Sequence, residues 1–182
     1  MHRIDVGGLI FVLREHHERI LEALEILEQA LSTENPDPED ILKLIRFAQH
    51  FVDSCHHSIE ERILFSSANR SGFPLEGGPI SVMVCEHGVG RYLTRIMEEL
   101  YLAWRRGDEK AREELAQYAK IYIDHLSQHI NKENMILFPM LESSLPEASS
   151  SKSVEQIENE SEHEKWISIL EELKKKYRTH AP

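Results

Sequence analysis

Two short segments of this chain carry the same arrangement of side chains able to do chemistry. Residues 56–65 read HHSIEERILF and residues 129–138 read HINKENMILF, so His, Glu, Ile, Leu and Phe recur at the same offsets. In each, an imidazole precedes a carboxylate by four positions, His56 before Glu60 and His129 before Glu133. Residues four apart stack on one face of an α-helix, so each pair can aim both groups at one point. A mixed nitrogen and oxygen donor set without thiolate suits iron or manganese, and zinc less specifically.

The remaining histidines extend the pattern. The chain has 11 His, roughly double ordinary usage. His17 interrupts the apolar stripe Leu13–Ile20, and His87 shares a stripe with Ile80, Met83 and Gly90. On the last stripe His125, His129 and Glu133 alternate with Tyr118, Tyr122, Ile136 and Met140. A single inward histidine is most often a satisfied core residue, and a lone His–Glu pair is most often a solvated surface pair. Inward imidazoles on four helices, together with two inward carboxylates, need partners, because buried polar groups without them are costly. Cations supply those partners, and Glu60 and Glu133 could bridge two of them. His57 is expected to turn toward a polar side with His50, Asp53 and Glu61, and His16 to point about 100° away from His17. His125 stands one turn before His129, as a further ligand, as a hydrogen-bond partner of a ligand or bound gas, or as a core histidine. The spacing is not that of a zinc finger or of His-Glu-x-x-His, nor the Glu-x-x-His of ferritin-like sites.

Helices are needed to place these groups, and the sequence supplies them. Apolar residues recur at spacings of three and four with few strand signals. Helices are expected over about 4–32, 38–66, 80–106 and 109–142. Asp37-Pro38 caps the second helix, Gly107-Asp108 separates the third from the fourth, and Pro139 tightens the last turn. Residues 143–153 read as a Ser-rich linker, and one further helix is expected over 154–177. The expected class is all-α, an antiparallel up-down four-helix bundle with an additional C-terminal helix. Residues 1–145 would form the bundle, and 146–182 a linker and a helix packed on the bundle or on a partner. That helix could also mediate a homodimer.

The bulk composition narrows the role. Thirty-two acidic against 21 basic residues give a formal charge of -11, which disfavours nucleic acid and anionic membrane surfaces. The start of the chain lacks signal-peptide features and no apolar run spans a bilayer, so a cytoplasmic location is expected. Cys55 and Cys85 are too few for a disulfide framework and read as small buried thiols. The charge runs 158–165 and 174–176 read as solvated helix faces.

The segments REHHERIL, CHHSIEERILF, GPISVMVCEHGVGR and QHINKENMILFP, in this order, resemble the hemerythrin-like, or His-His-Glu cation-binding, family over about residues 4–142. The resemblance implies a bundle around a non-haem centre of two iron ions (Fe2+/Fe3+), bridged by two carboxylates and an oxo or hydroxo group. It carries over His17, His56, Glu60, His87, His129 and Glu133 as metal ligands, with His125 a candidate addition. Oxygen-carrying members have a further histidine and a different spacing to the last acid. The tract GPISVM before EH is similar to proteins that repair iron-sulfur centres, but their N-terminal Cys pair has no counterpart here. Three functions therefore stand: a di-iron protein binding dioxygen or nitric oxide for sensing, storage or detoxification; an enzyme or iron donor acting on nitric oxide, peroxide or damaged clusters; and an interaction protein with a structural metal.

Overall fold

The computed structural model describes residues 1–178; residues 179–182 of the expected C-terminal segment lie outside the described residues. A short strand, β1 (His2–Asp5), leads into α1 (Val6–Leu31), whose first turn is capped by the Asp5 carboxylate accepting from Gly8 N at 2.8 Å. The second rod begins as α2 (Pro38–Phe47), with Asp37 as the expected cap. It continues as two π-helical stretches, π1 (Ala48–His57) and π2 (Glu60–Phe65), and ends in α3 (Ser66–Arg70). The third rod is α4 (Pro79–Arg105), and the fourth is α5 (Glu109–Lys132), π3 (Glu133–Leu137) and α6 (Phe138–Ser144). Gly107, at φ +98°, makes the left-handed turn between rods three and four that a residue with a Cβ would adopt only with strain. Asp108 then caps α5 by accepting from the backbone N of Lys110 and Ala111.

The rods pack in a ring, α1 against α2, α2 against α4, α4 against α5 and α5 against α1. The class is all-α, an antiparallel up-down four-helix bundle. Its interior is two apolar clusters rather than one. One holds Ile20, Leu24, Ile45, Phe51, Leu93, Leu126 and Ile130; the other holds Leu9, Leu13, Ile59, Ile63, Met83, Leu137 and Phe138. Along each rod the chain passes from one cluster to the other through the histidines and carboxylates singled out above. A buried polar layer therefore crosses the bundle between two apolar seals.

Three expectations for the flanks need correction. The Ser-rich linker contains β2 (Glu147–Ser150), which pairs antiparallel with β1, His2 opposite Ser150 and Asp5 opposite Glu147. Chain start and end of bundle meet there, and the serines serve as hydrogen-bonding groups: Ser67 Oγ donates to Ser149 O at 3.1 Å and accepts from Ser149 N at 2.9 Å. The single fifth helix is two, α7 (Val154–Glu160) and α8 (His163–Arg178), separated by a turn in which Glu162 takes φ +56°. The charge runs are only partly solvated. Lys174 is buried beside Glu22 and Glu171, Lys176 pairs with Asp37, and Glu158 turns inward. Trp166, Leu170 and Leu173 of α8 are buried in the first apolar cluster, so the apolar face of the helix is covered by its own bundle.

Candidate metal centre

Every one of the expected ligands lies in the buried layer. His17, His56, His87 and His129 are at most 1 % exposed, and Glu60 and Glu133 are 0 % exposed. Their donor atoms form two neighbouring groups, each able to hold a metal ion: His57, Glu60, His87 and His129 in one, and His17, His56, Glu60 and Glu133 in the other. Glu60 belongs to both, with Oε2 3.4 Å from His87 Nε2 and 3.6 Å from His56 Nε2. Glu133 also spans the pair, presenting Oε2 to His17 Nε2 at 3.1 Å and Oε1 to His129 Nε2 at 3.3 Å.

His57 corrects the sequence reading. It is buried, 3 % exposed, and stacks on His87 with ring centroids 3.8 Å apart. Helix phase for regular i→i+4 turns sends it outward. Here π1 closes i→i+5 turns, each residue turns less about the axis, and consecutive side chains at 56 and 57 both face inward. A signal was present: HHSIEE doubles the motif, since His57 precedes Glu61 by four just as His56 precedes Glu60. The same cause overturns the reading of Ile136, which lies in π3 and is 59 % exposed. That π turn falls just before Pro139, which has no N–H to give to a preceding carbonyl.

Around the two groups stands a set of acceptors, of which the sequence pointed only to Asp53 and Glu61, beside His57. His87 Nδ1 lies 2.8 Å from Glu61 Oε1, His129 Nδ1 2.9 Å from Glu86 Oε2, His17 Nδ1 3.0 Å from Asn134 Oδ1, and His57 Nδ1 3.4 Å from Asp53 Oδ1. An acceptor at Nδ1 fixes the proton there and leaves Nε2 as the inward lone pair. Cationic side chains hold the acceptors: Arg91 bonds Asp53 and Glu61, Arg14 bonds Asn134 and Lys132 bonds Glu86. A polar cavity of about 340 Å³ lined by Asp53, Glu61, Arg62 and Arg91 lies outside this wall. His125 belongs to neither group; its Nε2 donates to the Glu86 backbone carbonyl at 2.9 Å. Cys55 is buried, while Cys85 is exposed, contrary to expectation.

The layer is poorly satisfied by protein atoms alone. His57 Nε2, His87 Nε2, His129 Nε2, both Glu60 oxygens and Glu133 Oε1 are buried without a hydrogen-bond partner among the described residues. Burial pushes the Glu60 carboxyl upward and the nearby Glu133 adds to this. Burial also raises Glu133, but the imidazoles of His129 and His17 outweigh it and hold that carboxyl well below the usual range. Burial lowers His87, yet Glu60 and Glu61 overcome it and raise it to about 9, and Glu133 similarly raises His129. Burial holds His56 and His57 neutral. Without cations the buried carboxylates favour protons on His87 and His129; the donor set fits divalent or trivalent metal ions that would take the place of such protons.

A helical bundle whose seam is crossed by clustered imidazoles and carboxylates able to hold metal defines a cation-binding bundle protein. Residues 8–141 match the model of the hemerythrin HHE cation-binding domain, and residues 91–182 match it again. The chain belongs to this family. No curated protein matches it.

Proposed function

We propose that the chain is a non-haem di-iron protein that binds dioxygen or nitric oxide for sensing, storage or detoxification, with His17, His56, Glu60, His87, His129 and Glu133 as ligands and His57 added to them. The observation that carries this reading is the sharing of carboxylates: Glu60 faces histidines of both groups, and the two oxygens of Glu133 face one group each. A single cation would leave one of these faces unbalanced. Bound iron would supply reversible redox chemistry and coordination for a diatomic gas.

The residues of the chain divide the work. Glu60 and Glu133 set the spacing of the pair. Asp53, Glu61, Glu86 and Asn134 orient the imidazoles, and His125 bonds the Glu86 backbone while its ring lies parallel to that of His129. Phe138 stacks on His17 at 5.4 Å between centroids and, with Ile59 and Ile63, closes the layer from water. The pair is unequal, because rod four has Ile130 where rod two has His57. The His17–His56 group holds two imidazoles and the other three, so open coordination for a gas belongs at the former. A homodimer through α8 would have to use its outer face of Glu164, Lys165, Ser168 and Glu172, since the apolar face is covered.

The test is anaerobic iron loading followed by absorption spectra before and after adding oxygen or nitric oxide. New charge-transfer absorption that reverses on removing the gas supports binding. Consumption of the gas with an electron donor would assign an enzyme instead. A metal that gives no spectral response to either gas would leave the structural role.

A further inference from the structure

Outside the bundle core, a second kind of site lies beneath the C-terminal helices. His16 from α1, Glu158 from α7 and His163 at the start of α8 bring one donor atom each within 4.8 Å of one another. His16 is 4 % exposed, its Nδ1 has no hydrogen-bond partner among the described residues, and its Nε2 is 3.5 Å from Glu158 Oε1. The rings of His16 and His163 are 5.0 Å apart, and Cys55 Sγ sits 3.6 Å from His163 Nδ1. A cavity of about 310 Å³ lined by Glu155, Glu158, Glu162 and His163 opens beside the cluster. Its carboxylates would draw cations toward the opening.

The sequence singles out the same place. The dipeptide Glu-His occurs at 15–16, at 86–87 and again at 162–163. The second family match, over 91–182, includes His163, which the bundle itself does not use. Glu162 takes a left-handed backbone conformation between α7 and α8, and that turn brings Glu158 and His163 to one side. Strain of this kind persists where surrounding contacts enforce it.

We propose that His16, Glu158 and His163 form a third cation site, separate from the two groups in the bundle core, that takes a divalent ion of the zinc class and clamps α7 and α8 onto α1. Two imidazoles and a carboxylate are an established zinc donor set. The ion would sit where three separate elements meet, so binding it would fix the C-terminal helices against the first rod. The burial of His16 against the inward-turned Glu158 and beside His163 is explained by one shared ion, whereas ordinary helix docking does not require these three groups to converge.

The test is zinc retention by the full-length protein after gel filtration, comparing wild type with Glu158→Gln and His163→Gln. The wild type should keep about one more zinc per chain than either variant, whatever metal the core groups hold. His129→Gln should leave that difference intact, which separates this site from the core. Trp166 fluorescence in a Trp104→Phe background should report the clamp, changing on zinc addition only when Glu158 and His163 are present. Equal zinc in wild type and both variants, with all three folded by circular dichroism, would overturn the proposal. So would a difference that disappears in His129→Gln.

Discussion

His57 carries the sharpest residue-scale consequence. Ordinary helix phase makes it a bystander, whereas its Nε2 is buried beside His87 and His129 without a hydrogen-bond partner among the described residues. His57→Ala should therefore lower metal content or affinity nearly as much as His129→Ala, measured by elemental analysis after dialysis against a chelator. His125→Ala should retain the metal, because that ring bonds a backbone carbonyl. Glu86→Ala removes the acceptor that orients His129 and should weaken metal affinity by about 10–100-fold. The inward placement of the six candidate ligands was legible because each interrupts an apolar stripe. Glu86 and Asn134 were not, since a polar residue next to an inward histidine or glutamate looks like ordinary surface until the neighbouring rod is in place. His57 was hidden by the choice of turn, which residue types alone do not reveal.

At the scale of the elements, the four rods were legible and their flanks were not. The caps at Asp37 and Asp108 and the break at Gly107 are local chemistry, readable a few residues at a time. The β1–β2 pair joins residues more than a hundred positions apart in the sequence, and no local pattern announces a partner that distant. Likewise Ser161 ends α7 through backbone bonds that α8 and the bundle make worthwhile, splitting what periodicity presents as one helix. The docking of α8 rests on Trp166, Leu170 and Leu173. Leu170→Ala should cost about 2–5 kcal/mol, as expected for a fully buried leucine, read from urea unfolding. Phe138→Ala should cost about 3–5 kcal/mol and also loosen the seal against His17.

For the whole molecule, the polar layer makes stability depend on what neutralises it. In the metal-free protein His87 is raised to about 9, against about 6.5 in an unfolded chain. Its folded value is the higher, so the stabilisation it brings is complete below about pH 6.5 and is lost as pH rises through about 9. The metal-free protein should accordingly unfold at lower denaturant as pH rises through that window. Metal affinity should move in the opposite sense, because each ion displaces protons from the same imidazoles. Metal at about 1,000 times its dissociation constant should add about 4 kcal/mol of stability, abolished by a chelator.

The central claim is that two ions share Glu60 and Glu133 in one buried layer. It is tested most directly by loading metal-free protein anaerobically with iron, oxidising it, and measuring iron per chain together with the magnetic coupling in its Mössbauer spectrum. The account predicts about two irons per chain whose spins are coupled through the shared carboxylates. Saturation at a single iron, or two irons with independent spins, would contradict it.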